Sequence, residues 1–339
     1  MNSRVRCMFF LIPALLANSC ANEVEVLGDY EENAAVFALL DPSQPRQFVK
    51  INKVFTNPHA RASDVAKIAD SLYFDTLAPF LTEVQNGAVL RKIPLYRANV
   101  LLKDEGTFAT APNYLYVTNE SISSLFEYRL EFMLPATRRL ITAKTNIVRM
   151  SPGDLFLPVN PASVPREINI PPFIESGIQV KFATGKNGKI YDAFFIFNYL
   201  EVNNNDTNIK TVKTIRWKIL KGFRTVFDRG NEIVSQRMPG RHFYDMLLQK
   251  IAIDSTVTRR FMPCSLEFTG GNAELDNYIQ STLVSIGIVQ KQQDYTNIEG
   301  GGIGIFAART TAVIDNVMVG ELTRKTLYSY PEYSVLGFK

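Results

Sequence analysis

The sequence predicts a mainly β protein, an immunoglobulin-like β-sandwich followed by a second, α+β domain, and three observations carry that prediction. Phe (23) and Tyr (14) stand beside a single Trp, an inventory that favours strands, and 17 Pro with 19 Gly spread along the chain suit many short strands joined by turns. The segment Phe126-Glu127-Tyr128-Arg129-Leu130-Glu131-Phe132 alternates apolar and charged side chains without a break, so its rings and Leu130 share one strand face and its charges the other. Asn86-Gly87 lies between alternating runs, and both residues tolerate the positive φ of a type I′ hairpin.

The chain opens on a basic front, Arg4 and Arg6, then an apolar run from 8 to 17, then small side chains around a cysteine, Ala17-Asn18-Ser19-Cys20. This is the pattern of an export signal over 1–19. The run is too short to cross a bilayer core, which takes ~20 residues, and Pro13 interrupts it. A diacylglyceryl group on the Cys20 sulfur, with cleavage before it, is the expected membrane attachment. Simple cleavage without lipid is the competing reading, because Ala17 and Ser19 satisfy the small-x-small rule and Leu16 stands one place further from the cysteine than in most lipoprotein signals. Lipidation is preferred, since a bare cysteine at the cut would leave a free thiol in an oxidising compartment. Residues 20–33, with Glu23, Glu25, Asp29, Glu31 and Glu32 and little to bury, read as a flexible acidic tether.

Strands are expected at 34–40, 47–55, 80–85, 89–98, 113–118, 125–134 and 140–148, about seven in a stretch of ~115 residues, as an immunoglobulin-like sandwich over 34–148 requires. Val65, Ile68 and Leu72 fall at helical spacing behind Ser63, a good N-cap, so a short helix is expected between strands. Over 149–176 the periodicity stops and Pro152, Pro158, Pro161, Pro165, Pro171 and Pro172 crowd together, which reads as a linker or stiff crossover.

The second domain, 177–339, begins with an expected hairpin of 178–184 with 189–202 around Gly185-Lys186-Asn187-Gly188, and a third strand at 209–221. There Ile215, Trp217 and Ile219 alternate with Arg216 and Lys218, which predicts a buried Trp217. Helical spacing of Phe243, Met246, Leu247 and Ile251, and of Leu275, Ile279, Leu283 and Ile286, predicts helices over 242–253 and 274–289, with a strand at 265–269 between them.

The residues that could do chemistry are few. His59 and His242 are the only histidines and fall in different domains, which removes most metal sites, and no Gly-x-Ser-x-Gly elbow presents a serine. The run Gly300-Gly301-Gly302-Ile303-Gly304 lacks the Lys-Ser/Thr of a phosphate loop, so a glycine bend against a close neighbour is preferred. The acid clusters Asp104-Glu105 and Asp70 with Asp75 leave a glycosidase-type hydrolase as a minor alternative, and Asn203-Asn204-Asn205-Asp206 has too few acids for a calcium loop. Of the cysteines, Cys7 leaves with the signal and Cys20 carries lipid, so Cys264 has no partner and is expected to be buried. No cofactor, no metal and no catalytic residue is expected.

The formal charge is +4, and loss of Arg4 and Arg6 reduces 37 basic residues to 35 against 33 acidic ones, which argues against a nucleic-acid partner. The balance is uneven, however. Between Lys210 and Arg260 five Lys and seven Arg face only Asp228, Glu232, Asp245 and Asp254. A solvated face is one reading of this excess; the other is contact with an anionic surface through Arg216, Lys218, Lys221, Arg224 and Arg229.

Tyr295-Thr296-Asn297-Ile298-Glu299-Gly300-Gly301 and Gly304-Ile305-Phe306-Ala307-Ala308-Arg309, with Leu275-Asp276-Asn277-Tyr278-Ile279 and Gln290 upstream, resemble the C-terminal signature of uncharacterised outer-membrane lipoproteins of Bacteroidota. Val49-Lys50-Ile51-Asn52-Lys53-Val54-Phe55, Asp70-Ser71-Leu72-Tyr73 and Lys103-Asp104-Glu105-Gly106-Thr107-Phe108-Ala109 are similar to the matching stretch of the same family. Gly302 departs from the pattern. The resemblance implies a sandwich and a second β-rich domain on a lipid anchor, with no established activity.

The function expected from these readings is that of a lipid-anchored outer-membrane protein, a non-enzymatic binding or accessory subunit with a protein partner in a surface or envelope assembly. A surface carbohydrate-binding or carbohydrate-active protein is the alternative, its platform drawn from Tyr, Phe and Trp217.

Overall fold

The computed structural model describes residues 32–54, 62–284 and 295–339. The export signal, Cys20, the tether as far as residue 31, His59 and Gln290 lie outside the described residues. The protein is mainly β, as its composition predicts.

The first unit contains β1 (Asn33–Leu40), β2 (Gln47–Val54), α1 (Ala62–Val65), α2 (Ala69–Leu72), β3 (Phe80–Gln85), β4 (Ala88–Pro94), β5 (Tyr96–Ala98), β6 (Leu115–Thr118), β7 (Glu127–Met133) and β8 (Leu140–Asn146). Two sheets form, in the orders β1-β2-β6-β5 and β8-β7-β3-β4. These are the A-B-E-D and G-F-C-C′ orders of an immunoglobulin-like sandwich. Val36, Val49 and Ile51 of one sheet pack against Leu81, Leu130, Phe132 and Ile141 of the other. The alternation read in β7 is obeyed, with Tyr128, Leu130 and Phe132 buried. Tyr128 also makes the tyrosine corner of such folds. Its hydroxyl accepts from the Ser123 amide at 2.7 Å and donates to the buried Glu83 carboxylate at 2.6 Å. Asn86 (φ 51°) and Gly87 (φ 83°) both adopt the left-handed backbone that a type I′ turn requires.

Two local expectations change. The strand expected at 89–98 breaks at Leu95, and its halves join different sheets, β4 pairing with β3 and β5 with β6. The helix expected after Ser63 is two single turns, because the Ser71 hydroxyl bonds the Val65 and Ile68 carbonyls where the helix would continue.

The rest of the chain contributes β9 (Leu155–Leu157), β10 (Arg166–Ile168), β11 (Gly177–Ala183), β12 (Ile190–Asn203), β13 (Lys210–Arg224), β14 (Ile233–Pro239), α3 (Arg241–Lys250), β15 (Val257–Phe261), β16 (Cys264–Gly271), α4 (Ala273–Val284), β17 (Ile298–Glu299), β18 (Ile303–Val319), α5 (Glu321–Ser329) and α6 (Pro331–Ser334). Its core is ring-rich: Phe195, Phe197, Trp217, Phe243, Tyr244 and Phe268 are all buried. Trp217, at 6 % exposure, packs 5.2 Å from the ring of Phe243. Cys264 is buried as expected, and burial pushes its thiol up to about 11.

The Pro-rich stretch is not a spacer. Its β9 pairs with β11 and its β10 with β18, and Leu155, Ile168 and Ile170 are buried in the second core. The prolines sit outside these three-residue strands, where no ladder hydrogen bond is lost. Nor do β11 and β12 form the expected hairpin. Both edges of β12 are taken, one by β13 and the other by β16 and then β15, so β11 pairs instead with β14 over Gly177 to Ala183.

The two units share one strand, which the sequence places wholly in the second. β18 runs parallel to β1 over Ile303–Ala308, then antiparallel to β16 from Arg309 to Val317. The first sandwich sheet is thereby continuous with the main sheet of the second unit, and β17 pairs with β8 at the other sandwich sheet. The glycine bend makes this possible. Gly304 (φ 109°) approaches β1 so closely that a Cβ would lie 2.0 Å from the Val36 carbonyl oxygen, and one on Gly300 (φ 80°) would lie 2.2 Å from that of Leu140.

Candidate functional site

A strand in a sandwich sheet sends alternate side chains outward, and the outward phase of β1 and β2 is Ala35, Phe37, Lys50 and Asn52. Helix α4 lies beside this face and turns Tyr278, Ser281 and Thr282 toward it, while Tyr295, Thr296, Ile303 and Gly304 close the remaining side. The space between is a cleft of about 530 Å³. The Phe37 ring, 54 % exposed, meets Tyr278 edge to face at 6.0 Å.

The sheet side of the cleft carries two polar side chains, Lys50 and Asn52. The Lys50 ammonium donates to Asn113 Oδ1 at 2.7 Å, the Tyr114 carbonyl at 2.9 Å and the Tyr73 hydroxyl at 3.2 Å, which uses all three of its protons. Burial, with the positive charge of Lys103 nearby, lowers its pKa to about 8. Lys50 therefore acts as a brace between β2 and the 99–113 loop. Asn52 Oδ1 is buried and has no hydrogen-bond partner among the described residues. An amide oxygen so placed costs stability unless a donor reaches it. The arrangement of ring edge, apolar floor and one open acceptor can hold a ligand that has an apolar face and an N–H or O–H. It presents no nucleophile with a base beside it.

The five basic residues do not form one open cationic face. Arg216 pairs with Glu267 and stacks 3.8 Å over the Phe194 ring, and Lys218 donates to Asp192 at 2.7 Å. Arg224 pairs with Asp276, whose side chain is 2 % exposed. Lys221 is exposed, and Arg229 lies 5.3 Å over the Phe227 ring. The acids that answer this charge, Asp192, Glu267 and Asp276, come from β12, β16 and α4, outside the stretch in which the excess was counted.

The other candidates stand apart. Asp104, Glu105, Asp70 and Asp75 are exposed, and His242 is exposed on α3. Asn203 Oδ1 accepts from the Asn205 and Asp206 amides, the self-contained geometry of a solvated hairpin end. Among the described residues no three His, Cys, Asp or Glu side chains converge as a metal site, and no helix is long and apolar enough to cross a membrane. Sequence reasoning missed the cleft. Its signal was Phe37, an aromatic residue on the outward phase of a strand whose inward phase is Ala34, Val36, Ala38 and Leu40.

No family model matches the chain, and no curated protein matches it. Among solved structures, the C-terminal globular domain of an oligosaccharyltransferase from Pyrococcus abyssi aligns with 12 % identity over 87 % of this chain and 52 % of its own length, with a TM-score of 0.22. The chain thus spans about half of that structure, and a likeness at this level carries no argument for fold or function.

Proposed function

We propose that the chain is a cell-envelope protein, held at the outer membrane by a lipid on Cys20, that serves as a non-enzymatic binding or accessory subunit of a surface or envelope assembly. The cleft is the observation that supports a binding role. A monomer gains nothing from leaving Phe37 exposed above an unanswered Asn52 oxygen, whereas a bound partner removes the ring from water and supplies the missing donor. The test has two arms. Cys20→Ala is expected to move the protein from the membrane fraction to the soluble one, and unchanged partitioning refutes the anchor. Pull-down from membranes in mild detergent is expected to recover a partner with the wild type that Phe37→Ala loses; equal recovery by both removes the cleft from the function.

A second reading, recognition of a surface carbohydrate, is favoured by one observation. The paired rings of Phe37 and Tyr278 stand beside the hydroxyl side chains of Ser281, Thr282 and Thr296, a combination that suits the apolar face and hydroxyl rim of a sugar. Binding to a glycan panel that Tyr278→Ala abolishes would select this reading over a protein partner.

A further inference from the structure

One end of the sandwich is built differently from the other. Asn33 of β1 lies opposite Val54 of β2, so both mark the same end. Running from Gln47 to Asn52, β2 pairs first with Thr118 and then with Tyr116 of β6, so the chain before Leu115 leads to that end as well. The 99–113 loop enters from Ala98, which pairs with Leu115. Glu32 belongs there too, its carboxylate accepting from the Ala136 and Thr137 amides at 2.9 and 3.0 Å. Whatever precedes Glu32 therefore joins the fold at the end that carries the 99–113 loop. The lateral separation is two strand spacings from β1 to β6, about 10 Å.

The loop presents three consecutive aliphatic side chains to solvent, Val100, Leu101 and Leu102, the last of them fully exposed; Phe108 of the same loop is exposed, as is Ile68, two residues beyond Ala66, whose carbonyl accepts from the Ala109 amide. This is a held conformation. Asn113 donates to the Leu101 carbonyl at 3.1 Å, Lys103 to that of Ala109 at 3.0 Å, and the Ala109 amide to the Ala66 carbonyl at 2.8 Å, while Lys50 braces Asn113 from the sheet. The backbone is tied down and the apolar side chains still point outward. An apolar surface fixed in this way marks a contact with something outside the monomer.

We infer that the 99–108 loop, with Ile68, is a membrane-contacting surface that seats Val100, Leu101, Leu102 and Phe108 at the boundary between head groups and acyl chains. The choice of a bilayer rests on the tethered reading above. Glu32 lies twelve positions after Cys20, a reach of at most about 40 Å, so a lipid on Cys20 holds the bilayer within that distance of this end. The charges around the loop are mixed. Lys67 and Lys103 stand among Asp64, Asp70, Asp104 and Glu105, so the contact is apolar and does not depend on anionic lipid.

The test uses the chain from Ala21 onward, made without lipid, and phosphatidylcholine vesicles with and without phosphatidylglycerol. An environment-sensitive fluorophore is placed through Leu102→Cys and, at the opposite end of the sandwich, through Ser43→Cys; Cys264 is buried and stays unlabelled. The label at 102 is expected to shift to the blue and be quenched by lipid-borne quenchers on both vesicles, at low and high salt, and the label at 43 is not. Leu101→Ser with Leu102→Ser is expected to weaken sedimentation with vesicles about tenfold or more, since each buried leucine contributes a comparable factor, with an unchanged thermal transition. No shift at 102, or equal shifts at both sites, overturns the inference. So does concentration-dependent self-association without vesicles that the double variant abolishes, which would assign the loop to a second copy of the chain. The anchor is judged separately. If the lipid-bearing protein sediments with membranes while a label at 102 remains in water, the loop contact fails and the Cys20 tether stands.

Discussion

The side-chain amide of Asn272 donates to the Thr145 hydroxyl at 2.7 Å, and through this bond the first turn of α4 is fastened to the last strand of the sandwich. Both residues are buried. The same amide donates to the Asn146 carbonyl, and its oxygen accepts from the Ala308 and Leu275 amides, so one side chain serves β8, β18 and α4 together. Asn272→Ala leaves these buried groups unanswered and is expected to cost about 3 kcal/mol, at ~1–3 kcal/mol for each group left unpaired. Urea unfolding measures it; a change under about 0.5 kcal/mol would mean the junction is held by apolar packing alone.

Trp217→Ala is expected to destabilise by ~3–5 kcal/mol, as for any large ring removed from a packed core. Chemical denaturation followed by circular dichroism supplies the number. An unchanged midpoint with lost glycan binding would move Trp217 from the core to a binding site.

Arg224→Ala strands the buried carboxylate of Asp276 and is expected to cost about 3 kcal/mol, whereas Lys221→Ala, with an exposed side chain, is expected to stay within about 0.5 kcal/mol. The pair of midpoints distinguishes structural from surface charge in one experiment. Equal effects would contradict the pairing described for β13.

Lys50 gives a pH dependence with a definite sign. Its pKa falls from 10.5 in the unfolded chain to about 8 in the fold, so between these values the unfolded state holds more protons on this group. The contribution of Lys50 to stability therefore rises as pH increases from about 8 to 10.5. Burial raises the pKa of Tyr128 and Tyr191 and acts in the opposite sense above pH 10, where the unfolded phenols ionise first. The wild type minus Lys50→Met difference in midpoint, measured at pH 7.5 and 9.5, isolates the lysine and is expected to grow with pH; a flat difference would remove the burial argument.

Local signals carried well into the structure. The Asn86-Gly87 turn, the face of β7, the burial of Trp217 and the bend at Gly300 to Gly304 each depend on a few neighbouring residues whose sterics or phase fix the outcome. Pairing between distant strands was not legible. That β11 would choose β14 over β12 depends on which edges remain open after β13, β15 and β16 have docked, and no residue in β11 encodes that. The basic stretch misled for the same reason, because Asp192, Glu267 and Asp276 become its counter-charges only once the strands and α4 are assembled. The cleft required the same knowledge, since Phe37 and Tyr278 meet across most of the chain.

The path of β18 imposes an order on biogenesis. Ala35 pairs with Ile303, so this edge of β1 has no neighbour until residues 303–308 have been synthesised. Contacts this remote in sequence form late, and an open strand edge in the interval is a template for mispairing with other chains. A nascent or truncated chain ending before residue 303 thus carries a sandwich with an unsealed flank, whatever the stability of its own core. Cellular quality control would meet that flank first, and a holding chaperone that shields β1 until Ile303–Ala308 arrive would raise the yield of native protein without touching its final stability.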